Sequence, residues 1–234
     1  MNIALILAGG TGTRLGNDIP KQYIKVNNKM IISYCFETFF VSEEIDAIWI
    51  VADSNWYDVI CGDVQAIDKD KVKFKGFCEP GANRQLSILN GLEAVKAYYS
   101  GRTDEIKVMI HDAARPLLTE ALIKKCFDAS KGHDGVMPVI PVKDTIYVSD
   151  NGKTISGLLD RNKLFAGQAP EVFDFNKYYN ACIKLLPDDI LMINGSTEPA
   201  IKAGLDIAIC EGDENNYKIT TKADLERFET YLNI

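Results

Sequence analysis

The residues whose types and spacing suggest chemistry begin at Leu7-Ala8-Gly9-Gly10-Thr11-Gly12-Thr13-Arg14-Leu15-Gly16, directly after an apolar run. Glycines there let the backbone approach a ligand closely and turn N–H groups toward phosphate oxygens. Two familiar loops are excluded. A Walker A loop requires G-x-x-x-x-G-K-[ST], and no register supplies its Lys and hydroxyl pair. The dinucleotide fingerprint G-x-G-x-x-G fails because Gly10-x-Gly12 leads to Leu15. The segment therefore reads as a phosphate cradle of another kind; a tight turn would use the same glycines. Pro20-Lys21-Gln22-Tyr23 follows, so Arg14 and Lys21 set two cations beside the glycines. Charge-assisted bonds to phosphate need cations at that location.

Other polar groups recur further on. They are Gly81-Ala82-Asn83-Arg84-Gln85-Leu86-Ser87, His111-Asp112-Ala113-Ala114-Arg115-Pro116, Asp144-Thr145, Asp160-Arg161-Asn162 and Asn216-Tyr217-Lys218-Ile219-Thr220-Thr221. The chain has two histidines and no recognisable Ser-His-Asp or Cys-His motif, so nucleophilic catalysis is not indicated. Its six cysteines are far apart without a C-x-x-C, the pattern of buried thiols in a reducing compartment, not of a zinc site or disulfide framework. Acids number 33 against 26 Lys plus Arg, a formal charge of −7, which excludes coating of nucleic acid or of an anionic membrane. The N-terminus lacks a basic flank, no apolar run approaches about 20 residues, and a cytoplasmic protein is the expectation.

The elements that must position these residues follow from periodicity. Ile3–Leu7, Ala47–Ala52, Val72–Phe77, Ile106–Ile110 and Gly135–Ile140 read as buried parallel strands. Ile31, Cys35 and Phe39 fall at helical spacing, as do Ile88, Leu92, Val95 and Tyr99, and Leu225, Phe228 and Leu232. Alternation of this kind implies a Rossmann-like, three-layer α/β fold with a mostly parallel sheet. From Pro141 to Phe165 the pattern changes to period 2 around Ser149-Asp150-Asn151-Gly152, a hairpin signal. The expectation is a single domain over residues 1–234, with an inserted β-hairpin arm at about 141–165.

The glycine loop with Arg14, the Pro20–Tyr23 segment and the five later motifs together resemble the 2-C-methyl-D-erythritol 4-phosphate cytidylyltransferase family, including the related ribitol-5-phosphate cytidylyltransferases. The motifs run from residue 3 to 221 in the family's order. The resemblance implies transfer of CMP from CTP to a polyol phosphate with release of pyrophosphate. CTP, as co-substrate, is expected at Leu7, Ala8, Gly9, Gly10, Thr11, Gly12, Gly81, Ala82, Asn83, Arg84, Ser87, Asp112 and Ala113. Arg14 and Lys21 resemble the pair that stabilises the pentacoordinate phosphorus. Arg161 and Lys218 resemble the pair that grips the acceptor's phosphate, with Thr145 and Arg115 beside them. Mg²⁺ or another divalent cation is expected with the triphosphate, without assigned protein ligands. The arm is expected to embrace a second subunit, giving a homodimer whose sites draw on both chains.

The reaction itself asks for positioning and for cations where negative charge develops. An acceptor phosphate is already an anion near pH 7, so no general base is obligatory, and His111 is read as structural. Ser87 also lies at the start of a helical pattern, where it could serve as a cap. Arg14, Lys21, Arg84, Arg115, Arg161 and Lys218 are expected to converge at the strand ends.

The sequence departs from the family near the acceptor. It reads Ile193-Asn194-Gly195-Ser196-Thr197-Glu198-Pro199, with Asn194 for a usual Asp, and Gln168-Ala169-Pro170-Glu171 where the family has Gln-Thr-Pro-Gln. Methylerythritol phosphate and a pentitol phosphate both stay open as acceptors. A GT-A-like glycosyltransferase should show an Asp-x-Asp motif in a metal-binding setting; Asp188-Asp189 are adjacent, and Asp68-Lys69-Asp70 lies in a polar loop. A non-catalytic nucleotide-binding regulator would not need both cationic pairs.

Overall fold

A computed structural model describes residues 1–12, 19–69, 72–100 and 105–232. In chain order the strands are β1 (Asn2–Leu7), β2 (Lys25–Val26), β3 (Lys29–Met30), β4 (Ala47–Val51), β5 (Phe74–Cys78), β6 (Lys107–Asp112), β7 (Gly135–Pro141), β8 (Tyr147–Val148), β9 (Gly157–Leu158), β10 (Phe165–Gly167), β11 (Glu171–Asp174) and β12 (Ile207–Glu211). The helices are α1 (Ile31–Val41), α2 (Tyr57–Ile67), α3 (Arg84–Tyr98), α4 (Glu120–Ala129), α5 (Phe175–Ile183), α6 (Glu198–Lys202) and α7 (Lys222–Leu232).

β1 lies at the centre of the main sheet, parallel to β4 and β6, and β4 is parallel to β5. β11 runs antiparallel between β6 and β7. Along its other edge β7 takes β12 in parallel, while β10 continues the antiparallel pairing near the end of β7. The five strands expected from sequence are all present, within two residues at each end. β11 and β12 were not anticipated. Glu171 and Asp174 interrupt the apolar run of the first, and the second is a half-exposed edge.

Successive residues of the central strands point to opposite faces, and both faces are covered. Ala4, Ile6, Ile48, Ile50 and Met109 pack against α1, α2 and α4 through Phe36, Phe39, Ile60, Ile123 and Phe127. Ile3, Leu5, Trp49, Val108 and Ile110 pack against α3 and α5 through Ile88, Leu92, Val95, Tyr178 and Cys182. Burial on both faces is why these strands read as continuous apolar runs. Each fully buried Leu, Ile or Phe contributes about 1.5–3 kcal/mol. α7 closes a smaller cluster of Val26, Ile31, Ile219 and Phe228.

The segment between β7 and β10 projects as the expected hairpin. β8 and β9 pair as Tyr147 with Leu158 and Val148 with Gly157. Its turn is wider than a two-residue loop because Asn151 Oδ1 accepts from the backbone N–H groups of Lys153 and Thr154 at 2.8 and 2.9 Å, rounding the chain over residues 149–156.

Candidate active site

The parallel strands end together on one edge, and a cleft of about 480 Å³ opens there. Ligands of open α/β sheets gather outside the carboxyl ends of the strands. The loop after β1 forms one wall, the 81–84 turn and the start of α3 a second, and Asp112 with Lys218 and Thr220 a third.

The glycine loop is braced from behind. Gln22 Nε2 donates to the carbonyl oxygens of Ala8 at 2.5 Å and Gly10 at 2.8 Å, and Tyr23 OH donates to Ala8 O at 3.0 Å. Tyr23 is itself fixed by stacking on Trp56, with ring centroids 4.0 Å apart. Gly12 has φ +65°, and a Cβ there would lie 2.8 Å from the backbone N of Lys21, so glycine lets the two segments touch. Lys21 thereby lines the cleft. Arg14 lies outside the described residues.

The second wall rests on Asn83. Its side chain caps α3 by accepting from Leu86 N at 2.8 Å, and its Nδ2 donates to Ile190 O at 3.1 Å. Ser87 is therefore not the cap: its hydroxyl donates to Asn83 O at 2.8 Å and accepts from Gly81 N at 3.0 Å, closing the turn. Gly81 is sterically required, since a Cβ would meet Leu86 C at 2.7 Å and Ser87 N at 2.9 Å. The capped N-terminus of the 15-residue α3 directs the positive end of its dipole at the cleft.

Asp112 is the electrostatic centre. Its Oδ1 takes Arg84 Nε at 3.1 Å, and its Oδ2 takes Lys218 Nζ at 3.1 Å and Arg115 Nε at 3.4 Å. Burial would raise its carboxyl, but the three cations outweigh burial and hold it well below the usual carboxylate range. Neighbouring His111 is buried, donates Nε2–H to Arg115 O at 3.2 Å, and is pushed by burial down to about 3. It is neutral and positioned to hold the 111–115 turn, in agreement with its structural reading. Behind Arg84, Glu171 Oε2 lies 3.8 Å from Nη2, and Ser196 Oγ donates to Glu171 Oε1. Burial raises the Glu171 carboxyl.

The cleft thus brings together Leu7, Gly9, Gly10, Thr11, Gly12, Lys21, Gly81, Ala82, Asn83, Arg84, Ser87, Asp112 and Lys218, all anticipated from sequence. Ala8 and Ala113 are buried beneath it, with Ala113 N donating to Leu7 O at 3.0 Å. Arg115, expected beside the acceptor, lies behind Asp112, and its Nη1 donates to Asn216 O at 2.7 Å. Arg161 and Thr145 do not reach this cleft within one chain. Arg161 is on the arm, where Nη1 donates to Lys143 O at 3.0 Å and where it lines a separate hollow with Lys143 and Phe165. Convergence of the six cations accordingly holds for Lys21, Arg84, Arg115 and Lys218. Asn194 is exposed, its backbone N–H donating to Glu198 Oε2 at 3.0 Å. Gln22, Ala114 and Thr220 line the cleft without having been assigned. Gln22 was legible in principle, as an amide next to a loop rich in exposed carbonyls.

A glycine-walled cleft with Lys21, Arg84 and Lys218 around it suits a polyphosphate and supplies cations, not a base. Among the described residues no three His, Cys, Asp or Glu side chains are grouped to hold a metal ion, and Asp112 is the carboxylate lining the cleft.

Residues 2–234 match the model of the family described as IspD: 2-C-methyl-D-erythritol 4-phosphate cytidylyltransferase. A 2-C-methyl-D-erythritol 4-phosphate cytidylyltransferase of Clostridium beijerinckii is 33% identical, over 98% of this chain and 97% of its own. A ribitol-5-phosphate cytidylyltransferase of Vibrio parahaemolyticus is 31% identical, over 99% of this chain and 96% of its own. The crystal structure of a 4-diphosphocytidyl-2C-methyl-D-erythritol synthase from Anaerococcus prevotii superposes with a TM-score of 0.85 at 23% identity, covering 100% of this chain and 96% of that one, which supports the fold.

Proposed function

The chain belongs to the IspD, 2-C-methyl-D-erythritol 4-phosphate cytidylyltransferase, family, and from that premise we propose that it transfers CMP from CTP to a polyol phosphate and releases pyrophosphate. The observation that carries this reading is the meeting, in one cleft, of the braced glycine loop with Lys21 and the Arg84–Asp112–Lys218 cluster. An oxygen of the acceptor phosphate attacks the α-phosphorus of CTP. A new P–O bond forms, the bond to the β-phosphate oxygen breaks, and its electron pair leaves on pyrophosphate. The backbone of Gly9 to Gly12 cradles the phosphates. Lys21, with Arg14, stabilises the negative charge that develops at the α-phosphorus. Gly81, Ala82, Asn83, Arg84 and Ser87 form the wall for the cytidine, and Asp112 keeps Arg84 and Lys218 oriented. Lys218 faces the acceptor phosphate.

A divalent cation such as Mg²⁺ would enter with the triphosphate and rest on its oxygens and on Asp112, neutralising phosphate charge when bound. Asp112 already carries three cationic neighbours, which fits an ion held mainly by the nucleotide.

The chain works as one nucleotidyltransferase domain with a dimerisation arm. Supporting this, the arm exposes Tyr147, Ile155, Leu158 and Leu159, an apolar set that water does not favour. In a homodimer Arg161 and Thr145 of one chain would serve the acceptor site of the other. Mixing an Arg161→Ala chain with a Lys21→Ala chain tests the sharing: recovered activity supports it, and none refutes it. No helix among the described residues is long and apolar enough to cross a membrane, and we place the enzyme in the cytoplasm, where CTP is made.

The acceptor is a methylerythritol or pentitol phosphate, and relatives carrying either name are about equally similar to this chain. The test is pyrophosphate release with CTP, Mg²⁺ and a panel of 2-C-methyl-D-erythritol 4-phosphate, ribitol 5-phosphate and arabinitol 5-phosphate. Release with one panel member supports the reading. Tight CTP binding without release from any sinks it, and preference for UTP or ATP sinks the base assignment.

A further inference from the structure

Behind the cleft, outside its lining, is a buried carboxyl group that the mechanism above does not use. Glu171 opens β11, antiparallel to β6, where its register partner is Ile110, two residues before Asp112. The residue is 6% exposed. Its Oε1 accepts from Ser196 Oγ, while its Oε2 is buried without a hydrogen-bond partner among the described residues and faces Arg84 Nη2 at 3.8 Å. On the same guanidinium, Nε donates to Asp112 Oδ1 at 3.1 Å. Nε and Nη2 share one edge of the planar group, so carboxylates from neighbouring strands hold that edge and leave Nη1 for the contents of the cleft.

The contacts close into a ring. Ser196 O accepts from Tyr178 OH at 2.6 Å, and Tyr178 OH accepts from Gln85 Nε2 at 3.1 Å, one residue along α3 from Arg84. Ser196 belongs to the segment leading into α6, so the ring joins the nucleotide side of the site to that segment. A buried carboxyl with one unsatisfied oxygen is costly unless a cation compensates it. Among the described residues Arg84 is the cation that pairs with it, and Ser196 fixes the carboxyl facing it.

We propose that Glu171 is a positioning residue for the transfer: its charge, oriented by Ser196, fixes the plane of the Arg84 guanidinium against which CTP binds. This rests on the cytidylyl-transfer reading. A residue that merely filled space or bonded Ser196 would be replaced without loss by glutamine, which has the same shape and can still accept from Ser196. The charge is what glutamine removes.

The experiment measures CTP binding to the full chain by titration calorimetry, together with kcat and thermal unfolding, for wild type, Glu171→Gln, Ser196→Ala and the double variant. Glu171→Gln should weaken CTP binding about fivefold to tenfold, with kcat at saturating CTP within about twofold, as expected for loss of one charge-assisted contact behind a binding group. Ser196→Ala should weaken binding in the same direction and add little in the Glu171→Gln background, because both act through one contact. In an Arg84→Lys chain, whose ammonium lacks the two-nitrogen edge, Glu171→Gln should have no further effect on CTP affinity. If Glu171→Gln proves too unstable to assay, Ser196→Ala compared in the wild-type and Arg84→Lys chains reads the same coupling. Equal CTP affinity in wild type and Glu171→Gln, tighter binding by the variant, or additive effects of Glu171→Gln and Ser196→Ala would overturn the inference alone. Failure of the wild type to bind CTP would sink the cytidylyl-transfer reading and this inference with it.

Discussion

Replacing Asp112 by Asn tests the electrostatic centre of the site through stability, without reference to turnover. The carboxylate side chain is 10% exposed and holds Arg84, Arg115 and Lys218, which are 33%, 12% and 32% exposed. Removing one partner of a buried ion pair costs about 3–5 kcal/mol. Arg84 and Lys218 can turn partly into water, and Asn still accepts one hydrogen bond, so the expected cost is nearer about 2–3 kcal/mol. For a chain of this length that is a Tm lower by about 5–10 °C. The three cations depress the folded-state pKa of Asp112 from its ordinary 3.8. Its stabilising contribution is therefore complete above that unfolded-state value and is lost as pH falls from there toward the folded-state one. The gap between wild type and variant should stay flat from about pH 5 to 8 and narrow below about pH 4. Burial keeps His111 neutral, with its pKa lowered from 6.5 to about 3, so both proteins lose stability alike as pH drops from 6.5 to about 4, and over that range the effect cancels in the difference. Differential scanning calorimetry at low salt across this range measures the gap. A difference below about 1 °C at pH 7, or one that widens on acidification, would refute the reasoning.

Three further outcomes follow from the same geometry. Lys21→Ala should lower kcat by about 10² or more while changing CTP affinity less, as for loss of an electrostatic stabiliser; single-turnover pyrophosphate release measures it, and a near-normal rate removes Lys21 from the chemistry. Gln22→Leu should leave the Gly10 carbonyl without its Gln22 donor and the Ala8 carbonyl with Tyr23 OH alone, and weaken CTP binding about tenfold, with a stability loss of about 1–3 kcal/mol; calorimetry reads both, and unchanged affinity would mean the loop holds its shape without Gln22. Gly81→Ala forces a Cβ into the first turn of α3 and should cost at least about 2 kcal/mol, seen as a shifted urea midpoint at constant slope; an unshifted midpoint would show that the turn can relax.

Much of this was legible in the chain before its fold was considered. The central strands announced themselves because both of their faces are buried, which turns Ile3 to Leu7 or Ala47 to Val51 into unbroken apolar runs. The glycine loop and Lys21 were legible because close backbone approach and phosphate charge demand particular residue types. β11 and β12 were not, since one carries the buried Glu171 and the other is an edge, and neither shows a clean period. Ser87 could be taken for a cap because serine suits that position; the cap is Asn83, three residues before the Leu86 N–H it accepts from. Gln22 lies within a motif, but its two bonds to the Ala8 and Gly10 carbonyls are contacts between segments that no periodicity reports. Arg161 illustrates a different limit: sequence order puts it in the motif set, while the arm carries it to a separate hollow away from its own chain's cleft, a placement no motif reports.

The central claim is that an oxygen of the acceptor's phosphate attacks the α-phosphorus of CTP. Reaction of the active polyol phosphate, labelled with ¹⁸O in its phosphate group, tests it by mass spectrometry of both products. All of the acceptor phosphate's label should remain in the CDP-polyol, and the pyrophosphate should be unlabelled. Label in pyrophosphate, or CMP and unchanged acceptor in place of a CDP-polyol, would contradict the account.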